Sequence, residues 1–335
     1  MTRPRRPLRR RQGGFTLVEM MISLVLFSLV IAGVLSVAVA MTNGYREQRN
    51  TIGAESTSRV AMDFLADAIR STSPAVPTGA VATPGVLGGD VENLSVTACT
   101  RGAMAVVNSQ TGPDELTLVF SYGSIVTSSM SSFDPLASTS IDVVDATGLQ
   151  AGDMILVSSF THGHLVTLTS VAGNTLGFSL VCTTPALTST HPAGALVIRV
   201  ARARFYVADL DGIPALWMDA DAEGPGAAEP MAEGIEDFQV AIGFDTSNDG
   251  NLTETANGQS DEWTFNDPAS PETIPAGSPR AIKLSLLARS VGPTTGVATF
   301  LPPALGDRPA GTTADNFRRR VLTSTVDIRN AAGAR

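Results

Sequence analysis

The 335-residue chain is short of aromatic side chains, 5% in all, and holds only two cysteines and three histidines. With 31 Gly and 20 Pro against so few rings, short strands and turns are favoured over large packed helices. Catalytic signatures are missing too: there is no G-x-S-x-G, Walker loop, H-E-x-x-H or paired C-x-x-C, so no enzyme is expected. Basic residues are scarce past the start. Arg3, Arg5, Arg6, Arg9, Arg10 and Arg11 take six of the 23 Lys and Arg, leaving 17 to face all 32 acids. So acidic a body excludes nucleic acid as a partner, since phosphate neutralisation needs clustered cations. An apolar content of 43% in turn excludes disorder throughout.

Charge is almost absent from residues 15–45, where Glu19 stands alone. At ~1.5 Å per helical residue, 20 of these residues would cross a hydrocarbon core of about 30 Å. A cleaved secretory signal has an apolar region of only about 7–15 residues, so this run is too long for one, and the Ala-Val-Ala at 38–40 is a poor cleavage site. The arginine cluster outweighs Arg46 and Arg49 behind the run, which places the N-terminus in the cytoplasm and the rest across the membrane.

A carboxylate five residues into such a run is costly unless it snorkels to the interface or finds a partner. Its surroundings, Gln12-Gly13-Gly14-Phe15-Thr16-Leu17-Val18-Glu19-Met20, resemble the type IV prepilin processing site: a basic leader, a Gly at the cut, then Phe-Thr-Leu-x-Glu opening a long apolar helix. The resemblance implies that a prepilin peptidase cuts between Gly14 and Phe15 and methylates the new amine of Phe15. Glu19 then becomes the fifth residue, one helical turn from an ammonium, where it neutralises a neighbouring subunit during assembly.

Beyond the run, Ile52, Val60, Phe64 and Ala68, with Ala61, Leu65 and Ile69 beside them, continue the helix as an amphipathic stripe. Pro74 and Pro77 are expected to stop it near residues 70–72. Residues 73–113 read as loop with one short strand at 94–98. Strands are expected at 115–122, 140–144, 153–158, 165–171, 175–180 and 196–206, then at 203–208, 214–218, 234–244, 281–290 and 320–329.

The later segments Ile235-Glu236-Asp237-Phe238-Gln239-Val240, Asp245 to Gly250, Trp263, Ala281 to Ser290, Arg319-Arg320-Val321 and Ile328-Arg329-Asn330 resemble, in that order, PilW-type minor pilins. The fold this implies is α+β and pilin-like. A leader occupies residues 1–14, the membrane or fibre-core half of the helix 15–45 and its amphipathic half 46–72. The extracytoplasmic β-rich body covers 73–335, with an inserted β module at 113–200.

Sixteen of the 32 acids fall in residues 205–279, which hold no Lys or Arg. There Asp245, Ser247, Asp249 and Glu254 are the candidate ligands for calcium, although Ala256 stands where an EF-hand needs a bidentate Glu and an Asx-rich turn needs no metal at all. His162 and His164 flank Gly163, with His191 near in sequence; the three offer a zinc ligand set, but His-x-His on a turn reads first as polar surface. Cys99 and Cys182 lie across the membrane, where a disulfide is permitted but not required. The expected role is structural: a minor pilin that initiates or caps a type IV pilus, starting in the bacterial inner membrane and ending in the extracellular fibre. Its partners would be prepilin peptidase, other major and minor pilins and a tip adhesin. The alternatives are a minor pseudopilin of a type II secretion system and a pilus-anchored adhesin.

Overall fold

A computed structural model of the chain describes residues 14–76, 86–220, 222, 228–254, 262–268, 273–275, 279–294 and 299–328. The arginine-rich leader, residues 1–13, lies outside these, as do the side chains of Arg46 and Arg49. The chain divides into two compact units, Met1–Arg49 and Asn50–Arg335. One helix, α1 (Leu17–Arg70), contributes to both.

The first unit is the apolar part of α1. Leu17–Tyr45 is long and apolar enough to cross a membrane, and every large apolar side chain in it is exposed. The few hydroxyls here are satisfied within the helix. Ser23, Ser28, Ser36 and Thr42 each donate to a carbonyl three or four residues earlier, at 2.7–2.8 Å, which suits a segment with no water to bond.

In the second unit α1 becomes one-sided. Ala61, Met62, Leu65, Ala66, Ala68 and Ile69 are buried, whereas Arg59, Asp63 and Asp67 face solvent and so, against expectation, do Ile52, Val60 and Phe64, at 66%, 67% and 38% exposure. The helix ends where expected. The Ser71 and Thr72 hydroxyls donate to the carbonyls of Asp67 and Ala68, and Ser73 turns left-handed (φ 52°) ahead of Pro74.

Two sheets follow in chain order. The first holds β1 (Val86–Leu87), β2 (Val91–Asn93), β3 (Met104–Val107), β4 (Glu115–Ser128), β5 (Ser140–Asp142), β6 (Met154–Ser158), β7 (Gly163–Ala172), β8 (Thr175–Phe178), β9 (Leu196–Leu210), β10 (Ile213–Asp219) and β11 (Glu229–Glu233). Its main path runs β1-β3-β4-β9-β6-β7-β8-β5, with β10 between β9 and β11, and β2 parallel to β7. The second is an antiparallel sheet of β12 (Ile235–Gly243), β13 (Trp263–Thr264), β14 (Ala281–Arg289) and β15 (Arg319–Asp327), ordered β13-β12-β14-β15. Gly234 passes the chain from one sheet to the next at φ 80°; a Cβ there would lie 2.8 Å from the Arg289 carbonyl oxygen.

The buried face of α1 packs with Leu116, Phe120 and Phe205 of the first sheet and with Phe238, Val240 and Leu284 of the second in one core. A separate core gathers Phe133, Ile141, Ile155, Val166, Leu176, Phe178 and Val197 within the stretch expected to form an inserted module. Two local expectations are corrected. Residues 94–98 form a turn, and the strand there is Val91–Asn93, which is buried throughout. Residues 203–208 are no separate strand but the continuation of β9, which bends without breaking through 15 residues.

Candidate functional site

Gly14, Phe15 and Thr16 precede the first turn of α1, and Phe15 is 79% exposed. Among the described residues, a Cβ on Gly14 would meet nothing within 4 Å, so none of them demands glycine there. Thr16 and Glu19 cap the helix reciprocally. The Thr16 hydroxyl accepts from the Glu19 N–H at 3.3 Å, while the Glu19 carboxylate accepts from the Thr16 N–H at 3.0 Å and its hydroxyl at 2.9 Å. This is the S/T-x-x-E capping box, a local partner for Glu19 that the family resemblance had obscured although Thr16-Leu17-Val18-Glu19 spells it. Past it, the helix offers apolar side chains on all sides and no further carboxylate until Glu47.

The second sheet brings together segments that the sequence showed far apart. Arg319, 4% exposed at its side chain, donates to Glu236 at 2.5 and 2.9 Å and to Asp315 at 2.7 and 2.5 Å, so one guanidinium holds two carboxylates. The hydrogen bond from Arg319 keeps Asp315 below the usual carboxylate range, and the two carboxylates raise Arg319 further above its own. The next acid, Asp237, is buried and pairs with Arg308 at 2.6 Å. Burial pushes Asp114 up to about 7, against the pull of the Val240 and Ser109 N–H groups at 2.8 Å; Asp307 and Asp237 add to the rise.

The acidic loop after β12 is arranged around these same principles. Asp245 accepts from the Asp249 and Gly250 N–H groups at 3.1 and 3.0 Å and pairs with Arg280 at 2.7 Å. Glu254 is bonded to Lys283, the only lysine of the chain, which also sits 4.6 Å over the Trp263 ring. The Ser247 hydroxyl reaches Asp245 only at 3.4 Å, and the Asp249 carboxylate accepts from the Asn251 N–H at 2.8 Å. Among the described residues, Asp245, Asp249 and Glu254 do not form a group of converging ligand atoms, so the geometry is that of an Asx turn with protein cations where calcium was considered. The carboxylate that organises the loop is one the sequence had not marked. Burial opposes the charge on Glu262, but the Ser247 and Thr253 N–H groups at 2.9 Å and the Thr253 hydroxyl at 3.0 Å outweigh it and hold the group down at about 2.

Cys99 and Cys182 form a disulfide, with Cα atoms 5.0 Å apart across 83 residues of sequence. The polar-surface reading of the histidines is corrected: His164 and His191 are fully buried and His162 half-buried, and the three rings meet.

Residues 204–330 match the family model of Type IV Pilus-assembly protein W, and residues 9–35 match that of the prokaryotic N-terminal methylation motif. No curated protein matches the chain. Among solved structures, a type IV-like pilin from Thermus thermophilus is 12% identical over 83% of this chain and 97% of its own, with a TM-score of 0.37. A tailspike of Acinetobacter baumannii bacteriophage AP22, solved with capsular saccharide, is 25% identical over 25% of this chain, with a TM-score of 0.18; the match spans 15% of the tailspike. A methylation motif at its start and a PilW region over residues 204–330, joined by an apolar helix and an antiparallel body, make the chain similar in these two regions to PilW-type minor pilins.

Proposed function

We propose that the chain is an assembly subunit of a type IV pilus, held in the inner membrane by α1 until its leader is removed between Gly14 and Phe15 and the Phe15 amine is methylated. The observation that carries this reading is the stretch Leu17–Tyr45, apolar on every side with one carboxylate at its head. Such a surface is stable only in lipid or against like helices. The open space around Gly14 fits a residue selected by the enzyme that cuts beside it rather than by the fold. The disulfide fits a body delivered to an oxidising compartment, with the leader left in the cytoplasm.

N-terminal mass analysis of the membrane form should give a chain beginning at methylated Phe15; a start at Met1 or after Ala40 would overturn the processing. Glu19→Ala and Glu19→Gln should both be cut normally and both fail to enter fibres, because what is missing is charge. Fibre entry by both would leave Glu19 as a helix cap and no more.

A second reading, a pilus-borne binding module, is favoured by a cleft of about 890 Å³ beside Phe64, Phe120, Tyr122, Met154, Arg199 and Met218. Deleting the protein separates the two: an initiator's loss abolishes fibres, whereas an adhesin's loss leaves fibres that do not attach.

A further inference from the structure

All three histidines of the chain converge, although 27 residues separate His164 from His191. His162 and His164 stand two apart at the start of β7, so strand alternation puts them on one face. Gly163 between them points the other way, where a Cβ would lie 2.7 Å from Leu156 and 2.9 Å from Val76. His191 arrives on the irregular segment between β8 and β9, where its backbone pairs with Phe133. One ring nitrogen from each residue lies within 4.8 Å of the others.

The hydrogen bonds define which nitrogens carry protons. His164 Nε2 faces the Leu187 carbonyl oxygen at 2.9 Å, and His162 Nε2 faces that of Ser189 at 3.1 Å. A carbonyl only accepts, so both Nε2 atoms are protonated and both Nδ1 atoms bear lone pairs. A backbone carbonyl that fixes the tautomer from behind is the outer-shell arrangement of metal-ligating histidines. His191 Nε2 then donates to His164 Nδ1 at 2.7 Å, and His191 Nδ1 is left buried without a partner. Burial also holds His164 down at about 4 and His191 at about 3, so both rings are neutral in ordinary buffer.

We propose that His162, His164 and His191 bind one zinc-class divalent ion, with water in the fourth position. Three imidazoles suit zinc and its neighbours, while calcium and magnesium prefer oxygen. At a Zn–N distance of about 2.05 Å, tetrahedral ligand nitrogens stand about 3.3 Å apart, so His164 and His191 need part by only ~0.6 Å; the ion takes the lone pairs of His164 Nδ1 and His191 Nε2 as the His191 proton passes from Nε2 to Nδ1, and the ring stays neutral. Half-buried His162, whose Nδ1 is met only by the Ser159 and Thr161 hydroxyls at 3.2 and 3.0 Å, gives the ion its way in. The occupied site would tie the β6–β7 hairpin to the segment that Cys182 and the Glu92 carboxylate already secure, the latter through the Ala186 and Leu187 N–H groups.

The test uses the untagged full-length chain in detergent, stripped with a chelator, and titrated with Zn²⁺ by calorimetry and with Co²⁺ by visible absorption. One equivalent of Zn²⁺ should bind, excess Mg²⁺ should not compete, and Co²⁺ should give the intense bands of tetrahedral nitrogen coordination. His162→Ala, which leaves the buried pair intact, should weaken Zn²⁺ at least tenfold without moving the melting temperature of the metal-free protein. No uptake, weak octahedral bands from wild-type Co²⁺, or His162→Ala binding within threefold of wild type would each overturn the proposal. The wild-type spectrum decides even if the variant fails to fold.

Discussion

Residues 17–45 and 58–70 belong to one helix and draw on the same apolar alphabet, yet they answer different questions. In the first stretch Leu24, Val34 and their neighbours are exposed on every side, 70% and 64% for these two. In the second, Leu65 and Ile69 are at 0% while Asp63 and Asp67 remain in water. A stripe is satisfied by the chain's own sheets, whereas a cylinder needs an apolar surrounding that the chain does not supply. Each exposed Leu, Val or Phe represents about 1.5–3 kcal/mol still to be gained on burial. The difference separates folding from placement: one stretch stabilises the body, and the other determines where the body can reside.

The comparison breaks most sharply if body stability depends on the first stretch or is indifferent to its own buried contacts. The largest effect is expected from Arg319→Met, which strands Glu236 and Asp315 without their cation and should cost about 3–5 kcal/mol in chemical denaturation; an unchanged midpoint would refute the shared role of that guanidinium. Leu65→Ala should cost about 2–5 kcal/mol, and Leu26→Ala in the exposed stretch nothing measurable, by thermal melting of the detergent-solubilised chain. Equal effects would erase the distinction between stripe and cylinder. Replacing Cys99 and Cys182 by Ser should lower stability by about 2–4 kcal/mol, seen as an earlier melt confined to the body.

The mildest effect belongs to Glu262. Its folded pKa of about 2 lies below the ~4.3 of an unfolded chain, so its contribution is complete above about pH 5 and is lost as pH falls from there toward 2. Glu262→Gln should flatten that acid limb and leave the slope between pH 5 and 7 unchanged. Asp114 acts in the opposite sense over a higher window that meets this one only near pH 4 to 5: its raised pKa lowers stability as pH climbs from about 4 to 7.

What was legible was what is local. The apolar run, the helix stop before Pro74 and the alternating strands from residue 115 onward carry their cause within a few positions of sequence. The short pieces β1, β3, β11 and β13 do not, because no alternating run bounded by turn residues marks them and each is a strand by virtue of its neighbour. The acidic half misled for the same reason. Its cations arrive from positions 280, 283, 308 and 319, so a charge excess along the chain is not one in space. At the head of α1, the methylation motif and the Thr16-x-x-Glu19 capping signature are written in the same few letters, and the hydrogen bonds show the second of them formed. His191, on a segment without periodicity, could not have been joined to His162 and His164 by spacing alone.

The two-carboxylate grip of Arg319 also bears on how such a chain can vary. Removing Arg319 leaves Glu236 and Asp315 without their shared cation, whereas removing either carboxylate leaves the guanidinium still paired with the other. Loss of Arg319 alone therefore meets a barrier that loss of one carboxylate alone does not. Among relatives the arginine should therefore persist wherever both carboxylates do, a covariation linking the strand that opens the second sheet to the one that closes it.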